Sequence, residues 1–113
     1  MSFTPSGPLL DGCVLAILSH EDAYGYKLTQ SLQEVATISE STLYPVLRRL
    51  QKDGYLETYD SPYAGRNRRY YKITDEGKQK LAHTMEEWTK HKEMIDSLFF
   101  LKIECVESTE GDQ

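Results

Sequence analysis

Residues 39–54, running Ser39-Glu40-Ser41-Thr42-Leu43-Tyr44-Pro45-Val46-Leu47-Arg48-Arg49-Leu50-Gln51-Lys52-Asp53-Gly54, constrain the chain more than any other stretch. Leu43, Val46, Leu47 and Leu50 recur at i, i+3, i+4 and i+7, which predicts a helix with one apolar stripe. Its opposite face carries Ser41, Thr42, Tyr44, Arg48, Arg49 and Lys52, hydroxyls first and cations later. Gly54 stands where such a helix stops, because glycine takes the left-handed conformation without a Cβ penalty. Pro45 conflicts with the pattern, since an interior proline costs about 3 kcal/mol. Two starts reduce that cost. With Thr42 as N-cap, Pro45 falls at a position whose N–H has no partner anyway. With Ser39 as N-cap, the proline should kink or tighten the first turn. A helix held by its apolar stripe, with a hydrogen-bonding and cationic face exposed, has the form needed to enter the major groove of DNA.

The rest of the chain is organised around this helix. Residues 1–7 are polar and turn-rich and read as a flexible arm. Ser6-Gly7-Pro8 makes a helix start, with Leu10, Cys13, Val14 and Ile17 following at helical spacing. Leu9, Leu15 and Leu18 widen that stripe beyond one face, so this helix is expected to meet its own core and a partner chain. Asp22 is placed to cap a second helix whose buried side is Tyr24, Leu28 and Leu32, with Gly25 permitting close packing. Val35 to Ile38 is rich in β-branched residues and reads as a bridge or very short strand.

After Gly54 the period drops from about 3.6 to 2. Tyr55 to Asp60 alternates as a half-buried strand, Ser61 to Asn67 is turn chemistry, and Arg68 to Ile73 returns as a second strand. The predicted hairpin carries Arg66, Arg68, Arg69 and Lys72. Thr74 then caps a long helix with Asp75 and Glu76 in its first turn, where negative charge is favourable. Leu81, Met85, Trp88, Lys92, Ile95 and Phe99 step by 4 and 3, a heptad seam, with Met94, Leu98 and Leu101 beside it. From Asp75 to Leu101 this rod would measure about 40 Å. The residues before it are too few to cover both its sides, so its apolar face calls for a second copy. Residues 104–113 hold four acids and no base, and read as a frayed or disordered tail.

The predicted architecture is mainly α (α+β). A winged helix-turn-helix domain spans 1–74, a dimerisation helix 75–103 and an acidic tail 104–113. A chain of 113 residues suits this single small core. The net charge of −5 argues against indiscriminate nucleic-acid binding, but residues 24–82 hold ten Lys/Arg against seven Asp/Glu. No apolar run approaches a membrane span and no signal peptide is recognisable, so a cytoplasmic location without membrane partners is expected. Cys13 reads as a small core residue and Cys105 as a free thiol, and neither they nor His20, His83 and His91 have metal or redox spacing. No nucleophile–base pair, phosphate loop or paired carboxylates emerge. The expectation is a non-enzyme with no cofactor and no metal.

Tyr24-Gly25-Tyr26-Lys27-Leu28, Ser41 to Leu50 with its Thr-Leu-Tyr-Pro core, and Lys52-Asp53-Gly54-Tyr55-Leu56 together resemble the PadR family of bacterial transcriptional repressors. The resemblance continues through Gly65 to Thr74, with its Arg-Arg-Tyr-Tyr wing, and Asp75-Glu76-Gly77. The single long last helix is similar to that of the short subfamily. The resemblance implies a homodimer on double-stranded, pseudo-palindromic operator DNA. In that picture Tyr24, Tyr26, Ser41, Thr42, Tyr44, Arg48 and Lys52 face DNA, while Arg66, Arg68 and Arg69 reach phosphates or the minor groove. Arg48 is the candidate for a base edge. Arg49 is expected at the rim of the core with its charge in solvent.

The resemblance also implies a small aromatic or phenolic inducer at the dimer interface beside Trp88, with Met85 one turn earlier. From the residues alone Trp88 reads as a large interface side chain, the commoner use of an aromatic on such a stripe. On this reading Leu81, Met85, Trp88, Ile95, Leu98 and Phe99 form the dimerisation face. A winged helix that binds protein, without specific DNA or an inducer, is the alternative that the net acidity allows.

Overall fold

The computed structural model describes residues 7–112, with side chains described from Gly7 to Leu101. The arm before Gly7, Cys105 and the side chains of the acidic tail therefore lie outside the described residues. The elements run α1 (Pro8–His20), β1 (Ala23–Tyr24), α2 (Gly25–Gln33), α3 (Glu40–Lys52), β2 (Leu56–Tyr63), β3 (Arg66–Ile73) and α4 (Asp75–Asp112). This is the winged-helix order expected from the sequence, with a small antiparallel sheet in the order β1-β3-β2.

Pro8 opens α1 at its first position, where a missing N–H costs nothing. Leu10, Val14, Leu15 and Leu18 of that helix are buried with Leu28 and Leu32 of α2, Leu43, Leu47 and Leu50 of α3, and Leu56 and Ile73 of the sheet. Leu15 and Leu18, expected to reach towards a partner chain, are consumed by this core. The reason is that α1 is central, packed against α2, α3, β3 and α4 at once. Only Leu9 remains substantially exposed. Cys13 packs on the same core, and burial raises its thiol pKa.

Two local expectations are corrected. Asp22 does not cap α2; its carboxylate accepts a hydrogen bond from the Tyr59 hydroxyl at 2.6 Å, and Tyr24 occupies the cap position without a side-chain cap. The short strand lies not at Val35–Ile38 but at Ala23–Tyr24, which pairs with Tyr71 and Tyr70 of β3. Val35 to Ile38 is turn and irregular backbone, and the Ile38 carbonyl accepts from the Gln33 side-chain amide at 2.8 Å.

The hairpin is longer than its turn chemistry suggested. Ser61, Pro62 and Tyr63 continue β2, and Arg66 and Asn67 begin β3, leaving Ala64-Gly65 as a two-residue loop. Both loop residues have positive φ, 51° and 79°, the sign pattern of a I′ turn that matches the twist of the flanking strands. Pro62 is tolerated because β2 is an edge strand.

Helix α4 starts where predicted: the Gly77 N–H donates to the Thr74 hydroxyl oxygen at 3.0 Å. Its backbone continues to Asp112, past the expected end at residue 103 and into the segment read as a frayed tail, and Lys102 to Glu110 contains neither proline nor glycine. Among the described residues no helix is long and apolar enough to cross a membrane.

Candidate nucleic-acid interface

Helix α3 takes the earlier of its two possible starts. Ser39 is the N-cap, and its hydroxyl accepts from the Thr42 N–H at 3.2 Å. Pro45 then lies inside the helix, and the first turn tightens as that start requires: Thr42 N–H also reaches the Ser39 carbonyl at 3.1 Å. At the other end the Tyr55 N–H bonds the Leu50 carbonyl and the Gly54 N–H bonds Gln51, with Gly54 at φ 87°. This is a Schellman closure. Leu43, Leu47 and Leu50 are fully buried, and Ser41, Thr42, Arg48 and Lys52 are exposed on the other side.

Tyr44 departs from the expected exposed position. Its ring lies against Gly25, where an added Cβ would come within 2.8 Å of the phenol oxygen, and it packs partly on the core. Burial is the main cause of its raised pKa, helped by Glu40 and then Tyr71. Gly25 thus provides the close approach anticipated for it. Tyr24 and Tyr26 flank that glycine, the first half-buried and the second 57 % exposed. Tyr24, Tyr26 and Tyr44 line one shallow cleft with Arg68, Arg69 and Tyr71 of the wing. The phenols and the exposed Arg69 guanidinium on this open cleft are donors suited to phosphate oxygens.

The three wing arginines differ in environment. Arg66 is exposed beside the turn. Arg69 stands 3.9 Å from Asp60 with both side chains largely in solvent, a pairing that restrains it little. Arg68 is half-buried, its guanidinium 4.2 Å from the Tyr24 ring centroid and 3.8 Å from that of Tyr63.

Arg49 stands at the rim of the core with its side chain 47 % exposed, as expected, but its charge is paired rather than left to solvent. Its two terminal nitrogens donate to both oxygens of Asp11, at 2.9 and 2.6 Å, and Asp11 is only 7 % exposed. This hydrogen bond is the first cause of the raised Arg49 pKa. The pair fixes α3 onto α1. Asp11 was missed in the sequence, although an acid set among Leu10, Val14 and Leu15 signals a need for a buried cation. A second tie was also missed: the Thr74 hydroxyl donates to the Gly54 carbonyl at 2.7 Å, joining the end of α3 to the start of α4.

The expected dimerisation face divides in two. Leu81 packs on the core of its own head, so it is corrected from that face; α1 and α4 approach closely there, with Gly12 against Thr84. Met85, Trp88, Leu98 and Phe99 are exposed, and Ile95 is partly covered. Trp88 has the His91 ring 5.9 Å away, and Met85 lines an open groove with Ala82, Glu86, Thr89 and Lys90. Among the described residues no group of His, Cys, Asp and Glu is arranged to hold a metal.

Residues 14–83 match the transcriptional regulator PadR-like family. The chain is 42 % identical to smu.1704 from Streptococcus mutans, whose crystal structure superposes with a TM-score of 0.82 over 88 % of this chain and 93 % of that one. It is 39 % identical over 71 residues to transcriptional regulator Rv3488 of Mycobacterium tuberculosis, covering 59 % of this chain and 66 % of the relative. Bacillus subtilis PadR in complex with operator DNA shares the fold at a TM-score of 0.62 and 23 % identity, over 67 % of this chain and 46 % of that one. The chain belongs to the PadR-like family of transcriptional regulators, not to a class of enzymes.

Proposed function

We propose that this regulator is a homodimer that recognises a pseudo-palindromic operator and represses transcription from it, with release by a small aromatic ligand beside Trp88. The observation that carries the DNA reading is the shared cleft of Tyr24, Tyr26, Tyr44, Arg68 and Arg69, flanked by the exposed face of α3. Ser41 and Thr42 stand at the N-terminal end of that helix, suited to the phosphate backbone, and Arg48 about two turns later is suited to a base edge. Arg66 and Arg69 on the wing have the reach for phosphates or a narrow minor groove. The operator DNA bound to Bacillus subtilis PadR, a protein of this fold, supports the same partner here.

The dimer reading rests on α4. Met85, Trp88, Met94, Leu98, Phe99, Phe100 and Leu101 all expose half or nearly half of their surface on one helix, which a second copy would cover. Several contacts link that helix to the DNA-reading head: Thr74 to Gly54, Leu81 on the core, and Thr84 of α4 on Gly12 of α1, which Asp11 ties to Arg49 of α3. A ligand seated by Trp88 and Met85 would change the angle between the two α4 helices. The heads would follow as rigid bodies and lose register with successive major grooves.

The test is fluorescence anisotropy of labelled DNA from upstream of the protein's own gene, titrated against a scrambled duplex at several salt concentrations. Selective binding that weakens steeply with salt is the expected result, and the slope counts the phosphates neutralised. Equal, weak binding to both duplexes, unchanged when Arg66, Arg68 and Arg69 are reversed to Glu, would favour a protein-binding winged helix instead.

A further inference from the structure

The outer face of the wing holds one continuous ladder. Cross-strand register places Tyr63, Ser61, Tyr59 and Glu57 opposite Arg66, Arg68, Tyr70 and Lys72, and Tyr24 opposite Tyr70. Side chains that face one another across a pleated sheet share a face. Along it the Tyr59 and Tyr70 rings stack at 5.5 Å and 10°, and Tyr24 meets Tyr70 edge-on at 5.6 Å and 75°. The Arg68 guanidinium completes the ladder against both Tyr24 and Tyr63. Tyr63 is the last residue before the Ala64-Gly65 turn, and Tyr24 immediately precedes α2. One cation therefore joins the tip of the wing to the base of the helical head.

From this geometry we infer that Arg68 is a positioning residue: it acts on DNA recognition through Tyr24 and Tyr63, holding the wing at the angle from which Arg66 and Arg69 reach the backbone. The inference rests on the DNA-binding reading above. Rings at both contacts retain the Arg68 guanidinium, whereas Arg66 and Arg69 stand exposed on the same strand. A planar guanidinium suits such stacking and a point-charge ammonium does not, so lysine would keep the charge and lose the clamp.

The experiment compares wild type, Arg68→Ala, Arg68→Lys, Tyr63→Leu and Arg66→Ala as full chains. Amide hydrogen exchange at Tyr63 and Arg66 is read without DNA, and the affinity for upstream DNA is read across salt. Arg68→Ala, Arg68→Lys and Tyr63→Leu should each speed exchange at the tip and weaken binding about fivefold to tenfold, with the salt slope unchanged. Combining Tyr63→Leu with Arg68→Ala should add little to either. Arg66→Ala should instead reduce the salt slope by about one. The inference is overturned if Arg68→Ala lowers the slope as Arg66→Ala does, if Arg68→Lys binds like wild type, or if tip exchange does not change. If wild type binds no duplex although Arg68→Ala still loosens the tip, the DNA-binding reading itself fails, and with it any part for Arg68 in recognition.

Discussion

The helical head and the outer part of α4 are built from the same apolar residue types at the same helical spacings, yet they end in opposite environments. In the head, Val14, Leu28, Leu43, Leu47 and Leu50 are completely inaccessible. Farther along α4, Leu98 is 60 % and Phe99 70 % exposed. Leu81 marks the change: it belongs to the heptad seam by sequence but packs on the head's own core. Amphipathic spacing thus specifies that a face must be covered. What covers it depends on which elements lie within reach: Thr84 meets α1 at Gly12, whereas Leu98 and Phe99 stand exposed.

The largest effect that would break this comparison is a truncation in the head. Leu47→Ala should cost about 2–5 kcal/mol in urea unfolding, because the cavity has no solvent to fill it, whereas Leu98→Ala should leave the head's unfolding nearly unchanged. Next comes the α4 surface. On the proposed homodimer, Leu98→Ser with Phe99→Ser should preserve the head's helical circular dichroism while shifting sedimentation equilibrium from dimer to monomer. Operator affinity should then fall about 100-fold as the two linked heads separate. An unchanged dimer would place the interface elsewhere.

Arg49→Ala follows, at roughly 2 kcal/mol, reduced from the value for a fully buried pair because Arg49 is itself half in solvent. Removing Asp11 together with Arg49 should recover much of that loss, since no buried carboxylate is left unpaired. A smaller gain is expected from Ala64→Gly, which relieves a left-handed alanine at the wing turn and should add about 0.5 kcal/mol in the same unfolding assay.

The smallest effect is confined to high pH. The hydrogen bond to Asp22 pushes the Tyr59 phenol from 10.0 up to about 12. The raised value favours the protonated form in the folded state. Its contribution to stability is therefore complete below pH 10 and is lost as pH rises through about 12. Tyr59→Phe should remove the late step from an absorbance titration of the tyrosines.

The helices and wing were legible because periodicity, Ser39, Gly54 and Thr74 all mark the same boundaries. The elements that misled were those decided by distant partners. Asp22 has the chemistry of a cap, but Tyr59, 37 residues later, takes its carboxylate. Pro62 reads as turn until β2 is known to be an edge strand. The exposed residues of α3 were listable from its polar face, but the contacts of its less exposed members and of the wing were not. Tyr44 lies on Gly25, Arg49 serves Asp11 and Arg68 sits between two rings, and each is a contact across 19 or more residues of chain or across a strand pairing. Local pattern carries no information about such contacts until the topology is fixed.

The most direct test of a two-headed DNA reader is hydroxyl-radical footprinting of the upstream duplex bound by the intact protein. The account predicts two protected patches of related sequence on one face of the duplex, centred about one helical turn apart, with symmetric protection at their flanks. A single protected patch, or cleavage indistinguishable from free DNA at saturating protein, would contradict it.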